Sequence, residues 1–165
     1  LGTFSKVLFP SLRLGYIVVP RGLVTSFRAA RLLSAAPTFE QMVLADFVAE
    51  GYFVRHIRRM RALYARRQEA LIDELRRALG GTVRVEPGHA GMHLLGWLPE
   101  GVADRALSRA AAARGIEVLP LSSCYAGRPR HDGVLLGYAC VGRRDLKTGV
   151  ARLAQAVQAV HGERG

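Results

Sequence analysis

Apolar residues recur at helical spacing through the second quarter of the chain and give way to strand-like runs after it. From Phe53 the apolar positions 53, 57, 60, 64, 71, 75 and 79 keep a helical period. They predict one helix of seven turns, about 40 Å long at 1.5 Å per residue, ending at Gly80-Gly81. Ahead of it Val43, Leu44, Phe47 and Val48 mark a shorter helix. Thr38-Phe39-Glu40-Gln41 reads as its capping box, with Thr38 as cap and Gln41 reaching back, and Gly51 reads as its stop. The first twenty residues differ: a polar loop around Lys6 leads into an apolar strand, Leu14 to Val19. Pro10 and Gly15 argue against a continuous helix there, and Pro20 with Gly22 end the strand. A further helix is expected over residues 23 to 33.

After Gly81 the period shortens. Strands are expected over 82–85 and 91–98, then a helix over 102–114 that turns Leu107, Ala110 and Ala111 inward. Strands over 116–119 and 134–140 follow, and a last helix over 145–160 buries Leu146, Val150, Leu153 and Val157. Strand, strand, helix, strand, strand, helix is the pattern of an α+β layer domain, which begins near residue 81 with the long helix leading into it.

Composition narrows the class. Half of the 165 residues are hydrophobic and 22% are charged, which excludes an intrinsically disordered chain. No apolar run reaches membrane-spanning length, and the start lacks a basic-then-apolar export signal, so a cytoplasmic address is expected. Cys124 and Cys140 form neither a disulfide framework nor a CxxC pair. His89 and His93 stand four apart, but the strand character between them removes the helical logic of a metal pair. The net charge is +11, and Lys6 and Lys147 are the only lysines. Such a balance permits a nucleic-acid or acidic partner without specifying one. Residues 51–80 hold eight arginines against Glu69, Asp73 and Glu74, a pattern that fills the solvent side of an amphipathic helix. The chain opens on Leu and at once on a lysine-bearing loop, and it reads as a piece of a longer polypeptide.

Lys6 carries the candidate chemistry. A lysine among small and hydroxylic residues, Gly2-Thr3-Phe4-Ser5-Lys6, can act as a Schiff-base nucleophile. The hydroxyls of Thr3 and Ser5 can bind phosphate oxygens, and Arg13 can close on the same phosphate as a bidentate donor. Together these groups match pyridoxal phosphate, whose aldehyde needs an amine and whose phosphate needs donors. A solvated lysine beside an arginine in a surface loop is the plain alternative.

The stretch GTFSKVLFPSLRLGYIVVP, residues 2 to 20, resembles the internal-aldimine lysine segment of fold-type I pyridoxal-phosphate enzymes, the class I/II aminotransferase superfamily. The runs at 39–75, 91–99 (GMHLLGWLP), 113–125 (ARGIEVLPLSSCY) and 134–139 (VLLGYA) resemble more specifically the aminotransferase-like domain of MocR/GntR-type transcriptional regulators. The resemblance implies that Lys6 is the Schiff-base residue and that Thr3 and Arg13 hold the phosphate, with Ser5 assisting; Tyr16 fits either cofactor contact or packing. It implies an α/β fragment: residues 1–80 as the end of the large cofactor-binding domain with its connecting helix, and 81–165 as the small C-terminal α+β domain. It further implies an amino acid or amine as effector or substrate, a homodimer in the intact protein, and DNA contact through an N-terminal winged-helix module outside this chain.

One departure bears on activity. Many aminotransferases of this superfamily place a carboxylate-binding arginine where this chain has Leu135, and leucine cannot donate to a carboxylate. Arg128 and Arg130 in the preceding loop are possible substitutes. The leading expectation is the effector-sensing portion of a regulator. The alternative is the C-terminal part of an active aminotransferase that passes an amino group from an amino acid to a 2-oxo acid. In the family the ring-facing aspartate and aromatic precede the lysine, so the isolated chain is expected to be inactive and to bind cofactor poorly.

Overall fold

The computed structural model describes residues 1–31, 37–88 and 91–162. It divides into two compact units, Leu1–Arg61 and Ala62–Gly165.

In the first unit β1 (Gly2–Thr3) pairs antiparallel with β2 (Gly15–Tyr16), Gly2 opposite Tyr16 and Thr3 opposite Gly15. Gly15 is needed for this approach, because it faces backbone, whereas a side chain at Gly2 would have to turn the exposed Tyr16 ring aside. A Cβ on Gly15 would stand 2.9 Å from the Gly2 carbonyl oxygen, and one on Gly2 would meet the Tyr16 ring at 2.5 Å. The strand expected over Leu14 to Val19 is thus confined to two residues. Ile17 to Val19 have no partner strand among the described residues, and Val18 is 81% exposed. Without a neighbour to take its backbone groups, the apolar run does not extend the ladder.

A 3₁₀ turn (Arg21–Leu23) leads into α1 (Val24–Arg31). The last residues of the helix expected over 23–33 lie outside the described residues. In α2 (Thr38–Ala49) the expected capping box is not formed. Pro37 occupies the cap position, its φ of −55° turning the chain into the helix, and Thr38 is already helical. Gln41 Nε2 instead donates to the Pro37 carbonyl at 3.3 Å. The apolar stripe of α2 is also more open than its period suggests, with Val43 50% exposed. Gly51 follows at φ +78°, as a stop residue should. Next comes α3 (Tyr52–Leu79), 28 residues long, whose first ten residues belong to the first unit and the remainder to the second.

The second unit holds an antiparallel sheet of four strands, β3 (Arg84–Val85), β4 (His93–Trp97), β5 (Leu119–Pro120) and β6 (Gly133–Gly137), in the order β3-β4-β6-β5. Helices α4 (Asp104–Ala112) and α5 (Arg143–Gly162) complete the expected strand–strand–helix repeat. Period-two alternation places Leu94 of β4 and Val134 and Leu136 of β6 on one face. Leu75 of α3, Leu107 of α4 and Val150 of α5 join them in a single buried cluster. The helices therefore cover one side of the sheet. On the other side Leu119, Leu135 and Leu95 form a cross-strand row that stays outside that cluster.

Polar groups also lock this unit. Tyr138, 2% exposed, donates from its hydroxyl to the Gly91 carbonyl at 2.9 Å and accepts from Gln68 Nε2 at 3.1 Å. Gln68 also reaches the Gly88 carbonyl, and Arg67 donates to the Ala139 carbonyl. These two side chains fill the gap at 67–68 in the apolar stripe between Tyr64 and Leu71. Tyr138→Phe keeps the ring, removes the donor to the Gly91 carbonyl and leaves Gln68 Nε2 with its bond to Gly88. It is expected to lower the unfolding free energy by about 1–3 kcal/mol, read from the urea midpoint.

Candidate functional site

The loop that links β1 to β2 carries the candidate residues Thr3, Ser5, Lys6 and Arg13. Thr3 ends β1, and its Oγ1 accepts the Ser5 backbone N–H at 3.2 Å, a local turn that hydroxylic residues favour. The Thr3 hydroxyl also lies 3.1 Å from Ser5 Oγ and 3.4 Å from the Leu14 carbonyl. The Phe4 amide donates to Leu14, while the Phe4 carbonyl accepts from both Val7 and Leu8 N–H, closing a turn with Lys6 on it. Pro10 opens a 3₁₀ turn (Pro10–Leu12) that brings the chain back. Leu12 and Leu14 are buried and Arg13 between them is exposed.

Arg13 has φ +53° and ψ +25°, and it is the one non-glycine residue with positive φ among the described residues. That left-handed conformation costs an L-residue roughly 1–2 kcal/mol. A glycine would adopt it freely, so a side chain held there at a cost points to use of the guanidinium.

The structure thus brings Thr3 and Ser5 into hydrogen-bonded contact on one arm of the loop, with Lys6 next to them and Arg13 on the other arm. Lys6 and Arg13 are exposed, and no hydrogen bond or ion pair engages either side chain among the described residues. Glu40, Asp46 and Glu50 are the only acidic residues of the first unit, against nine basic ones. A primary amine, two hydroxyls and an uncommitted guanidinium on one short loop suit a ligand that combines an aldehyde with a phosphate. Tyr16 packs on Phe4, ring centroids 5.6 Å apart, and so has a packing role. Behind the hairpin a cavity of about 980 Å³ is lined mainly by apolar residues, among them Phe4, Leu14, Phe27 and Leu44, and by none of the four candidate residues.

Elsewhere the candidates separate. Leu135 sits mid-strand in the apolar row between Leu95 and Leu119, with no donor to offer. Arg130 lines a cavity of about 630 Å³ with Arg84, Trp97 and His131 at one end of the sheet. His89 lies outside the described residues. One contact at the loop had no sequence signal of its own: His56 Nε2 lies 2.8 Å from the Val7 carbonyl. His56 was legible only as a basic residue beside Arg55, yet its position three after Phe53 places both on one helix face.

No protein-family model matches the chain. The probable rhizopine catabolism regulatory protein MocR of Rhizobium meliloti is 39% identical over 164 residues, which covers 97% of this chain and 33% of that protein. The crystal structure of LysN, the α-aminoadipate aminotransferase of Thermus thermophilus complexed with N-(5'-phosphopyridoxyl)-L-leucine, matches with a TM-score of 0.86 at 27% identity. That match covers 98% of this chain and 42% of that one. The multiple substrate aminotransferase of Thermococcus profundus matches with a TM-score of 0.87 at 26% identity, over 98% of this chain and 41% of its own. The chain spans about a third of the length of the curated relatives it matches, which include both transcriptional regulators and aminotransferases. No helix among the described residues is long and apolar enough to cross a membrane. The architecture is that of the C-terminal portion of the aminotransferase domain, and the chain belongs to the fold-type I pyridoxal-phosphate-dependent aminotransferase superfamily, with MocR-type regulators among its relatives.

Proposed function

We propose that this chain is the lysine-bearing portion of a pyridoxal-phosphate-dependent aminotransferase, with residues 1–80 completing the cofactor domain and 81–165 forming the small domain. The observation that carries the cofactor assignment is the loop itself: Lys6 uncommitted, Thr3 and Ser5 beside it, and Arg13 held left-handed. In this reading Lys6 supplies the amine that bonds the cofactor. Thr3 and Ser5 donate to its phosphate, and Arg13 neutralises that phosphate with a planar fork. When bound, the cofactor acts as an electron sink for the amino-acid substrate. The similar solved structures, which are aminotransferases, support the enzyme reading over a purely sensory one.

A second reading, the effector-sensing part of a MocR/GntR-type regulator, is favoured by a specific observation. Leu135 stands in an apolar row where a substrate carboxylate would need a donor, and the MocR protein is 39% identical. Amino acids added to the full-length protein separate the two. Repeated 2-oxo acid release marks the enzyme. A change in cofactor absorbance without product marks the sensor.

Arg13 offers a direct test of the phosphate assignment. Arg13→Ala in the full-length protein is expected to weaken pyridoxal-phosphate affinity by about 10- to 100-fold, the value of a charge-assisted bidentate contact. Arg13→Gly should lose the same affinity while unfolding at an equal or higher denaturant midpoint, because the left-handed strain disappears. Arg13→Lys should recover part of the binding. Equal affinity for wild type and Arg13→Ala would remove Arg13 from the phosphate site.

A further inference from the structure

We propose that His56 is a positioning residue for Lys6, fixing from α3 the turn on which the lysine stands. This rests on the cofactor reading of Lys6 given above. Residues 4 to 8 form a turn closed by the Val7 and Leu8 amides on the Phe4 carbonyl. The start of α3 meets that turn at two points. The Phe53 ring lies edge-on to Phe4, centroids 5.9 Å apart at 74°, and His56 Nε2 is 2.8 Å from the Val7 carbonyl. Phe53 and His56 are three residues apart and so share one face of the helix. The contacts fall two residues before Lys6 and one after it, bracketing Ser5 and Lys6.

The chemistry of the second contact is directional. A carbonyl oxygen only accepts, so His56 carries its proton on Nε2 and donates it. Phe53 restrains the near side of the turn by packing alone, which fixes distance and leaves rotation. The imidazole bond adds a direction on the far side and ties the loop to a helix 49 residues on in sequence. Lys6 has a long flexible side chain, and an amine on a mobile turn must lose backbone freedom as well as rotamer freedom before it can react. Holding the turn in advance removes the first of these costs, which improves attachment of the amine to its partner without adding any contact to it.

The test uses the full-length protein with His56→Leu, His56→Gln and His56→Asn, and Lys6→Ala as control. Three readouts are taken: pyridoxal-phosphate affinity, the fraction of Lys6 fixed by borohydride at limiting cofactor, and amide exchange of the peptide spanning residues 4–13. His56→Leu is expected to lower affinity and Lys6 fixation about three- to tenfold, the loss of one hydrogen bond, and to speed exchange in that peptide. His56→Gln, whose amide can reach the same carbonyl, should restore most of both. His56→Asn, polar but shorter, should not, and it replaces the leucine variant should that fail to fold. Wild-type affinity and exchange in the leucine or asparagine variant would overturn the proposal. So would equal impairment of the glutamine and asparagine variants, since only reach distinguishes them. Undiminished cofactor fixation in Lys6→Ala would instead reject the cofactor reading of Lys6, a separate outcome.

Discussion

Lys6→Ala in the full-length protein is expected to abolish the pyridoxyl adduct that borohydride reduction leaves on the wild type, and to weaken cofactor affinity by at least about 100-fold. The size follows from the chemistry. The attachment needs a primary amine, and the only other lysine of this chain, Lys147, lies on α5 in the second unit. Thr3, Ser5 and Arg13 remain in the variant and, in the function proposed above, hold the phosphate, so residual non-covalent binding should persist and should respond to free inorganic phosphate as a competitor. Lys6→Arg keeps the positive charge and removes the nucleophile, which separates loss of the covalent bond from loss of charge. Peptide mass mapping of the reduced wild type is the decisive reading. An adduct placed reproducibly on Lys147, with residue 6 unmodified, would reject the assignment of the loop.

Asp104→Ala is expected to be the most damaging polar substitution in the second unit, lowering its unfolding free energy by about 2–4 kcal/mol. Asp104 is 2% exposed, the one charged residue of the buried set among the described residues. Its carboxylate accepts the Ser122 backbone N–H at 2.7 Å and the Ser122 hydroxyl at 2.9 Å, while its own amide donates to Asp132 Oδ1 at 3.1 Å. As the first residue of α4 it also faces the positive end of the helix, where a negative charge is stabilised. Alanine strands the Ser122 N–H and leaves the 3₁₀ turn at Leu121–Cys124 with the weaker tie from Arg105, whose Nε donates to the Ser122 hydroxyl at 3.2 Å. Asp104→Asn keeps the shape and one acceptor oxygen, so it should recover about half of the loss. Urea unfolding of the three proteins checks the order. An alanine variant as stable as the wild type would mean that Ser122 finds another acceptor.

The order β3-β4-β6-β5 within the sheet was not legible in the sequence, whereas the apolar period of α3, the inward faces of α4 and α5 and the succession of strands and helices along the small α+β unit all were. Each depends on which side of an element meets the core, and period 3.6 or 2 encodes that directly. The candidate residues of the lysine loop could be picked out too, because Lys6, Thr3, Ser5 and Arg13 lie within eleven residues, and their role rests on the function proposed above. What the pattern could not supply were decisions that involve distant partners. The run Leu14 to Val19 looks like a strand, yet only Gly15 and Tyr16 pair, because a strand exists only where a neighbour accepts its backbone. Arg67 and Gln68 occupy inward positions of a helix stripe and look like interruptions until Ala139, Gly88 and Tyr138 appear beside them. Asp104 reads as an ordinary helix-start acid, and its burial is set by Ser122, eighteen residues on. His56 reads as one more basic residue, and its bond to Val7 spans 49. Even the left-handed turn at Arg13 is decided by closure of the loop and has no residue preference to announce it. Periodicity records the direction in which a side chain points, whereas a polar contact depends on what the folded chain brings to meet it, and that was decided by the tertiary structure alone.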